Sequence, residues 1–426
     1  MSESASAPTL SPGDLLRIPN FRTLFLGQII SDFGDAVTQL TVLLYINRVT
    51  GGDTQALALL LIALALPMAT LGLVAGVFVD RWDRKRVMII SDLLRMVLVG
   101  GFLIAAATEQ IWLIYPVAFL HSTVGAFFAP ARGATIPRIV PPAGLLSANS
   151  LGQISAVFFR VLGTAAAGFL VGSLNNFTLP FVIDSLTFLA SALLLTGLKL
   201  EKRGDAAAIG QATVRLILRE MRLGLSTILH RRELVGTLVA LAVTMLGLGA
   251  VNVLLAPMLV NELKLPETWF GALELAQSSA MIIGGTLVAF LANRLKATTI
   301  VSFGLMALGL ILGLMAPINA IWQLFPILFA IGLVVTPVTA ATTTILQTNA
   351  SDEVMGRVAA ALNAVVSTAN LISMALAGVL AAWVGTRNVF LLSGAVVVLA
   401  GVVALGIFRG VAQPLDNEPL IVAGEP

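Results

Sequence analysis

The chain has no cysteine and only two histidines, His121 and His230. Disulfides, thiolate metal sites, cysteine nucleophiles and covalent haem attachment are thereby excluded, and the usual ligands of a structural zinc site are missing. Charge is scarce too. Asp, Glu, Lys and Arg make up 11% of the 426 residues, against about 25% in an ordinary soluble domain. A surface so poor in charge would expose large apolar patches and aggregate in water. No G-x-x-x-x-G-K-[ST] phosphate loop occurs, so a pump driven by nucleotide hydrolysis is disfavoured. Neither a metal-ligand cluster nor a nucleophile–base motif can be picked out along the chain. No enzyme, cofactor or metal is expected.

What is present is apolar. Hydrophobic residues make up 58% of the chain and the mean hydropathy is +0.98. That is enough for roughly a dozen bilayer-spanning helices of about 20 residues each. Twelve apolar stretches are read at about 21–46, 55–79, 87–107, 111–130, 147–173, 177–198, 234–260, 268–292, 298–316, 320–341, 356–383 and 388–408. They are too long, and alternate too little, for the strands of an outer-membrane barrel. Helices, which satisfy their own backbone in lipid, are expected instead.

The basic residues sort by side. With the N-terminus inside, 20 of the 25 Lys and Arg fall in cytoplasmic segments. Only Arg48, Lys264 and Arg387 fall outside, and Arg95 and Arg160 lie within spans. This asymmetry predicts a multi-pass protein of the cell membrane with both termini cytoplasmic. The net charge of +3 is therefore a membrane signature, and no nucleic-acid partner is implied. Residues 1–20 read as a retained cytoplasmic tail, because they lack the basic and apolar regions of a signal peptide. Residues 21–198 form a first six-helix bundle, 199–233 a cytoplasmic linker, 234–408 a second bundle and 409–426 a cytoplasmic tail. In the linker, Val214, Ile217, Leu218, Met221, Leu225 and Ile228 share one helical face, which predicts an amphipathic helix at the membrane surface.

A shift of about 213 residues relates the two bundles. It lays Gly72-x3-Gly76-x3-Asp80-Arg81 over Gly285-x3-Ala289-x3-Asn293-Arg294, and Gly34 over Gly247. Parallel six-helix repeats are an architecture of secondary transporters.

The segment from Gly72 to Arg86 resembles the loop signature of the major facilitator superfamily, with Gly76, Asp80, Arg81, Arg84, Lys85 and Arg86 fitting it. Asn20-Phe21-Arg22, Gly27-Gln28, Phe128-Ala129-Pro130-Ala131, Arg160-Val-Leu-Gly163 and Gly356-Arg357-Val358 resemble its branch of enterobactin exporters and macrolide efflux proteins. The resemblance implies an all-α fold of twelve helices in two pseudo-symmetric bundles. It implies a proton-coupled antiporter that exports a small hydrophobic or amphipathic substrate by alternating access, as a monomer in the lipid bilayer. It assigns the loop a gating role, with Asp80 set against a helix N-terminus near Met355–Arg357 and Gly76 admitting a close helix neighbour. The glycines Gly163, Gly168 and Gly172 follow the antiporter pattern of the fifth helix, but its proline is absent, Thr164 standing after Gly163.

Ionisable groups inside the spans are expensive in lipid and mark function. Gln28, Asp32, Asp35 and Gln39 fall at i, i+4, i+7 and i+11, on one helical face. Asp32 or Asp35 is the expected proton carrier, with Arg160 as the expected partner. A permanently charged Asp35–Arg160 pair that only fixes packing is the competing reading. Glu274 is the further candidate, being the only carboxylate within a span of the second half. Asp92 and Arg95 read as a local pair, and Asp184 and His121 as packing residues. Phe127, Phe128, Phe158, Phe159, Met245, Trp269 and Met281 are candidates for an apolar cavity wall. The alternative to export is an importer or facilitator of a small metabolite, or a non-transporting scaffold or sensor.

Overall fold

The computed structural model describes residues 10–79, 81–200, 214–292, 294–349 and 352–408. Helices dominate these residues, and twelve of them correspond to the twelve apolar stretches. The first six are α2 (Pro19–Val49), α3 (Thr54–Val79), α4 (Arg84–Ala107), α5 (Ile114–Ile139), α6 (Leu145–Gly172) and α7 (Thr178–Thr196). The second six are α9 (Arg232–Ala256), α10 (Trp269–Ala292), α11 (Ala297–Gly313), α12 (Ile321–Asn349), α13 (Asp352–Val384) and α14 (Thr386–Phe408). A short α1 (Pro12–Arg17) precedes them, and α8 (Val214–Leu229) connects the halves. Ten helical segments are long and apolar enough to cross a membrane, and α11 is a shorter apolar helix of 17 residues.

Several helices run past their expected ends. The fourth stretch was bounded at Pro130, yet α5 continues through Pro130 and Pro137 to Ile139. A proline removes one backbone donor and kinks the helix, and the packed neighbours in a bundle absorb that local fault. The fourth helix of the second half, α12, likewise passes Pro326 and Pro337.

The repeat seen in the sequence reappears as a repeated packing pattern. In the first half α2 packs on α6 and α7, α3 on α5, and α4 on α5 and α7. In the second, α9 packs on α13 and α14, α10 on α12, and α11 on α12 and α14. Each pair in one half has its counterpart seven helices later. The halves meet where α3 packs on α13 and α6 on α10, and these two contacts exchange under the same relation. Large apolar side chains such as Trp383, 80% exposed, cover the outside, as a lipid-facing surface requires. Phe102, Phe181, Phe188 and Phe390 are fully buried.

The contact between halves is closest at the end where α2 finishes. An added Cβ at Gly168 or Gly172 would lie 2.8 or 2.9 Å from the backbone of Glu267 or Thr268. At Gly271 it would lie 2.5 Å from Ala165, and at Gly378 2.7 Å from the Thr54 carbonyl. Small residues let backbones approach in this way. Polar contacts reinforce the same end. Arg48 Nη2 donates to Glu267 Oε1 at 2.6 Å, Asn261 Nδ2 to Asn47 Oδ1 at 3.1 Å, and Thr54 Oγ1 to Gly378 O at 2.8 Å. At the opposite end an added Cβ on Gly72 or Gly76 would meet nothing within 4 Å. The close helix approach expected at Gly76 is therefore not made here.

The connecting α8 is helical, as its periodicity predicts. Rather than only facing lipid, it packs on α13, with Ile228 buried among Leu234, Val358, Ala361 and Leu362.

Candidate functional site

A cavity of about 400 Å³ opens in the middle of the first half, with Asp32, Asp35, Gln39, Arg95, His121 and Arg160 in its wall. The predicted polar face of α2 thus borders this cavity, except that Gln28 lines a second cavity of about 320 Å³ nearer the start of α2. Gln28 Nε2 donates to Asp32 Oδ2 at 3.3 Å, an i, i+4 contact along the face. Arg132 and Arg95 supply the positive field at Asp32.

The partner of Asp35 differs from expectation. Arg95 Nη1 of α4 donates to Asp35 Oδ2 at 3.1 Å, and its Nη2 to Asp92 Oδ1 at 2.5 Å. The guanidinium is sandwiched by rings, 4.8 Å from the centre of Phe128 and 4.4 Å from that of Phe188. Ser191 Oγ donates to the other Asp92 oxygen at 2.6 Å. The pair read as local is formed, but it also reaches across to α2. Arg160 instead places Nε 3.2 Å from Glu274 Oε1 of α10. The expected Asp35–Arg160 pair is absent because α4 delivers a nearer cation, while α6 turns Arg160 toward the other half. Arg160 and Glu274 together form an ionic tie across the halves beside the cavity.

Two residues read as packing groups join the same network. His121 Nε2 of α5 lies 3.7 Å from Asp35 Oδ1, and its ring contacts Phe102 and Phe188. Asp184 of α7 is fully buried and accepts from Thr187 Oγ1 at 3.1 Å. A signal was available for Arg95. Once the span is extended back to Arg84, Arg95 stands at its midpoint rather than near its start. Nothing in the linear sequence links His121 or Asp184 to Asp35. Among the apolar candidates, Phe128 lines the cavity, whereas Phe158 and Met281 are exposed on the outside.

In the loop between α3 and α4, Asp80 lies outside the described residues, as do Asn293 of the repeat and the side chain of Met355. The basic residues hold helix ends. Arg84 Nη1 donates to Ala134 O and Lys85 Nζ to Thr196 O, both at 2.6 Å. Thr196 ends α7, where unsatisfied carbonyls and partial negative charge favour a cation, and Ala134 lies in the last two turns of α5. Asp83 caps α4 by accepting from the Arg86 amide at 3.0 Å. Arg81 is exposed. At the same end Asn20 holds Lys199 twice, donating to its carbonyl at 2.8 Å and accepting from its amide at 3.0 Å.

The antiporter-pattern glycines divide their work. Gly163 faces the α2 backbone at Phe33 and Val37 and the Ala36 methyl group, while Gly168 and Gly172 face the second half.

The family model of the Major Facilitator Superfamily matches residues 24–369, and again 237–422. The chain belongs to the major facilitator superfamily. It is a multi-pass membrane transporter rather than an enzyme. Macrolide efflux protein A of Streptococcus pyogenes is 26% identical over 388 residues, covering 90% of this chain and 94% of that one. The uncharacterized MFS-type transporter YfiS of Bacillus subtilis is 26% identical over 395 residues, covering 90% and 92%. Among solved structures, a bacterial homologue of the iron transporter ferroportin in an inward-facing state aligns with TM-score 0.74 at 16% identity, over 92% of this chain and 99% of that one. A bacterial homologue of the lysosomal transporter Spinster, inward-facing and unoccupied, aligns with TM-score 0.71 at 13% identity, over 92% and 97%. The all-α fold and the resemblance to the macrolide efflux branch are borne out by these likenesses.

Proposed function

We infer that this superfamily member exports small hydrophobic or amphipathic molecules in exchange for protons, by alternating access. The observation that carries the reading is the polar cavity within the first half, bordered by Asp32, in a molecule whose halves are drawn together at one end. Asp32 is the better proton carrier of the two candidates. It faces the cavity and, among the described residues, has no ion-pair partner within 4 Å, whereas Asp35 is held by Arg95. Export is supported by the likeness to macrolide efflux proteins. The positive-inside pattern supports cytoplasmic termini, and the closed end is then external and the transporter inward-facing. The loop from Gly76 to Arg86 is the cytoplasmic gate in this reading, engaging when the halves rock together.

Moving one charge through 100 mV is worth ~2.3 kcal/mol. At ~150 mV one proton supports a substrate gradient of ~300-fold, each ~1.4 kcal/mol being tenfold. A single carboxylate is therefore energetically sufficient. The test is uptake of a macrolide panel into proteoliposomes with an imposed pH gradient. Wild type should concentrate at least one compound, and Asp32→Asn should lose uphill transport while retaining downhill exchange. Gradient-driven accumulation by Asp32→Asn at the wild-type level would move the proton site elsewhere. Indifference of the wild type to the pH gradient would remove proton coupling itself.

A further inference from the structure

Asp35, His121 and Asp184 come from three different helices, α2, α5 and α7, yet each offers a ligand atom within 4.8 Å of the others. His121 and Asp184 are 8% and 0% exposed. Two of their polar atoms, His121 Nε2 and Asp184 Oδ2, have no hydrogen-bond partner among the described residues. Buried polar groups are normally partnered, and each exception calls for a reason.

The arrangement of what is satisfied is as informative. Asp35 gives Oδ2 to Arg95 and keeps Oδ1 toward His121. Asp184 gives Oδ1 to Thr187 and keeps Oδ2 without a partner. Each carboxylate thus has one oxygen near an outer donor and one oxygen left over. Outer partners of this kind hold the ligands of metal sites. The buried Thr38 hydroxyl lies beside Asp184, as a donor in reach of that carboxylate.

Charge points the same way. Asp35, Asp92 and Asp184 face one guanidinium, Arg95, and one imidazole, while Asp32 lies further along α2 toward Arg132. With the imidazole neutral, the three carboxylates exceed the guanidinium by two negative charges. Such charge is unfavourable in a largely buried cluster unless protons or a cation balance it. One divalent cation neutralises it.

We propose that Asp35, His121 and Asp184 bind a divalent transition cation of the manganese-to-zinc series. One imidazole nitrogen with carboxylate oxygens suits that class better than magnesium or calcium, which prefer oxygen alone. Two ligands on an ion at ~2.1 Å stand about 3.4 Å apart in tetrahedral geometry. The 3.7 Å between His121 Nε2 and Asp35 Oδ1 needs a few tenths of an ångström of closure, and separations in the cluster of up to 4.8 Å need side-chain movement of about an ångström. The cavity reaches the site through Asp35 and His121, which provides a path for the ion. This site is distinct from the Asp32 carboxylate assigned to proton exchange, and it does not depend on that assignment.

The test uses untagged full-length protein in detergent, stripped with chelator and titrated with Mn²⁺ followed by electron paramagnetic resonance. Wild type should bind one Mn²⁺ per chain, with nitrogen modulation from one imidazole in the spin-echo signal. His121→Gln should abolish the nitrogen modulation and weaken binding at least tenfold. Asp184→Asn should weaken it as much, and His230→Gln, at the other histidine, should leave both readouts unchanged. A wild type that binds no Mn²⁺ stoichiometrically, or binds it without nitrogen modulation, overturns the proposal without recourse to any variant. Unaltered affinity in a monodisperse His121→Gln protein overturns it as well. The two balancing charges would then be protons.

Discussion

Arg95→Leu should be among the most destabilising single substitutions in the first half. The side chain is 5% exposed. It makes hydrogen bonds of 2.5 and 3.1 Å to two carboxylates and lies between two aromatic faces. Hydrogen bonds to charged groups contribute about 1.5–3 kcal/mol each, and a desolvated cation–π contact about 2 kcal/mol. These contributions overlap in one network and cannot simply be added. The larger effect is what the substitution leaves behind, because Asp35 and Asp92 lose their cation. Breaking a buried pair from one side costs about 3–5 kcal/mol, and we expect a loss in that range. Equilibrium unfolding of chelator-treated protein in mixed detergent–SDS micelles measures it. The triple variant Asp35→Asn, Asp92→Asn, Arg95→Leu removes the stranded charge together with its partner. It should recover at least half of the lost stability. If Arg95→Leu alone lies within about 1 kcal/mol of wild type, or if the triple variant is worse than the single, the buried network is not organised around this guanidinium.

The remaining expectations concern packing and the contacts between halves. Gly34→Ala places a methyl group against Thr187 Oγ1 and Asp184 Oδ1 and should cost about 1–3 kcal/mol by overpacking; Gly76→Ala, with open space beside it, should leave stability within about 0.5 kcal/mol, and equal melting curves for the two would refute the contrast. Arg160 and Glu274 should show a coupling energy of about 0.5–1 kcal/mol in a double-mutant cycle on stability, a value restrained by their partial exposure; strictly additive losses would dissolve the tie. Glu267→Gln should loosen the closed end by weakening the contact to Arg48, seen as faster maleimide labelling of a cysteine introduced at Asn47 in this naturally cysteine-free chain; unchanged labelling would mean that the backbone contacts alone keep the end shut.

Much of the fold was legible because lipid leaves few choices. A helix must be long and apolar to span, so the helices of the bundle stand out as runs of composition. Their pairing was legible only through the repeat, which carries Gly34 over Gly247 and Gly72 over Gly285. The site was half legible. Periodicity places Asp32 and Asp35 on one face of α2, since that is a property of a single helix. The partner of Asp35 depends on how α4 and α6 are rotated, and no local pattern encodes that rotation. Arg160 stood at the right depth and belonged to another contact; Arg95 stood at the right depth only once α4 is extended to Arg84. His121 and Asp184 are single polar residues in apolar runs, and a run does not disclose which neighbour it meets. The last turns of α5 were not legible, because the polar residues after Pro130 end the apolar run before the helix itself ends at Ile139.

The seam at the closed end is built mainly of surfaces without side chains. Gly168 and Gly172 present bare backbone to the turn at Glu267 and Thr268, and Gly271 and Gly378 to backbone and the methyl groups of Ala165 and Ala58, while the helices that carry these glycines bond most of their own donors and acceptors. Two such surfaces can part without leaving knobs out of their holes or orphaned amides in lipid. What is lost is close contact, at about 0.1–0.2 kcal/mol per atom pair, and a handful of polar ties that water can replace at an exposed end. The joint is thus cheap to open at any moment and quick to reseat in one register. A bolt of interlocked large side chains would have been tighter at rest and would have had to be repacked at every stroke.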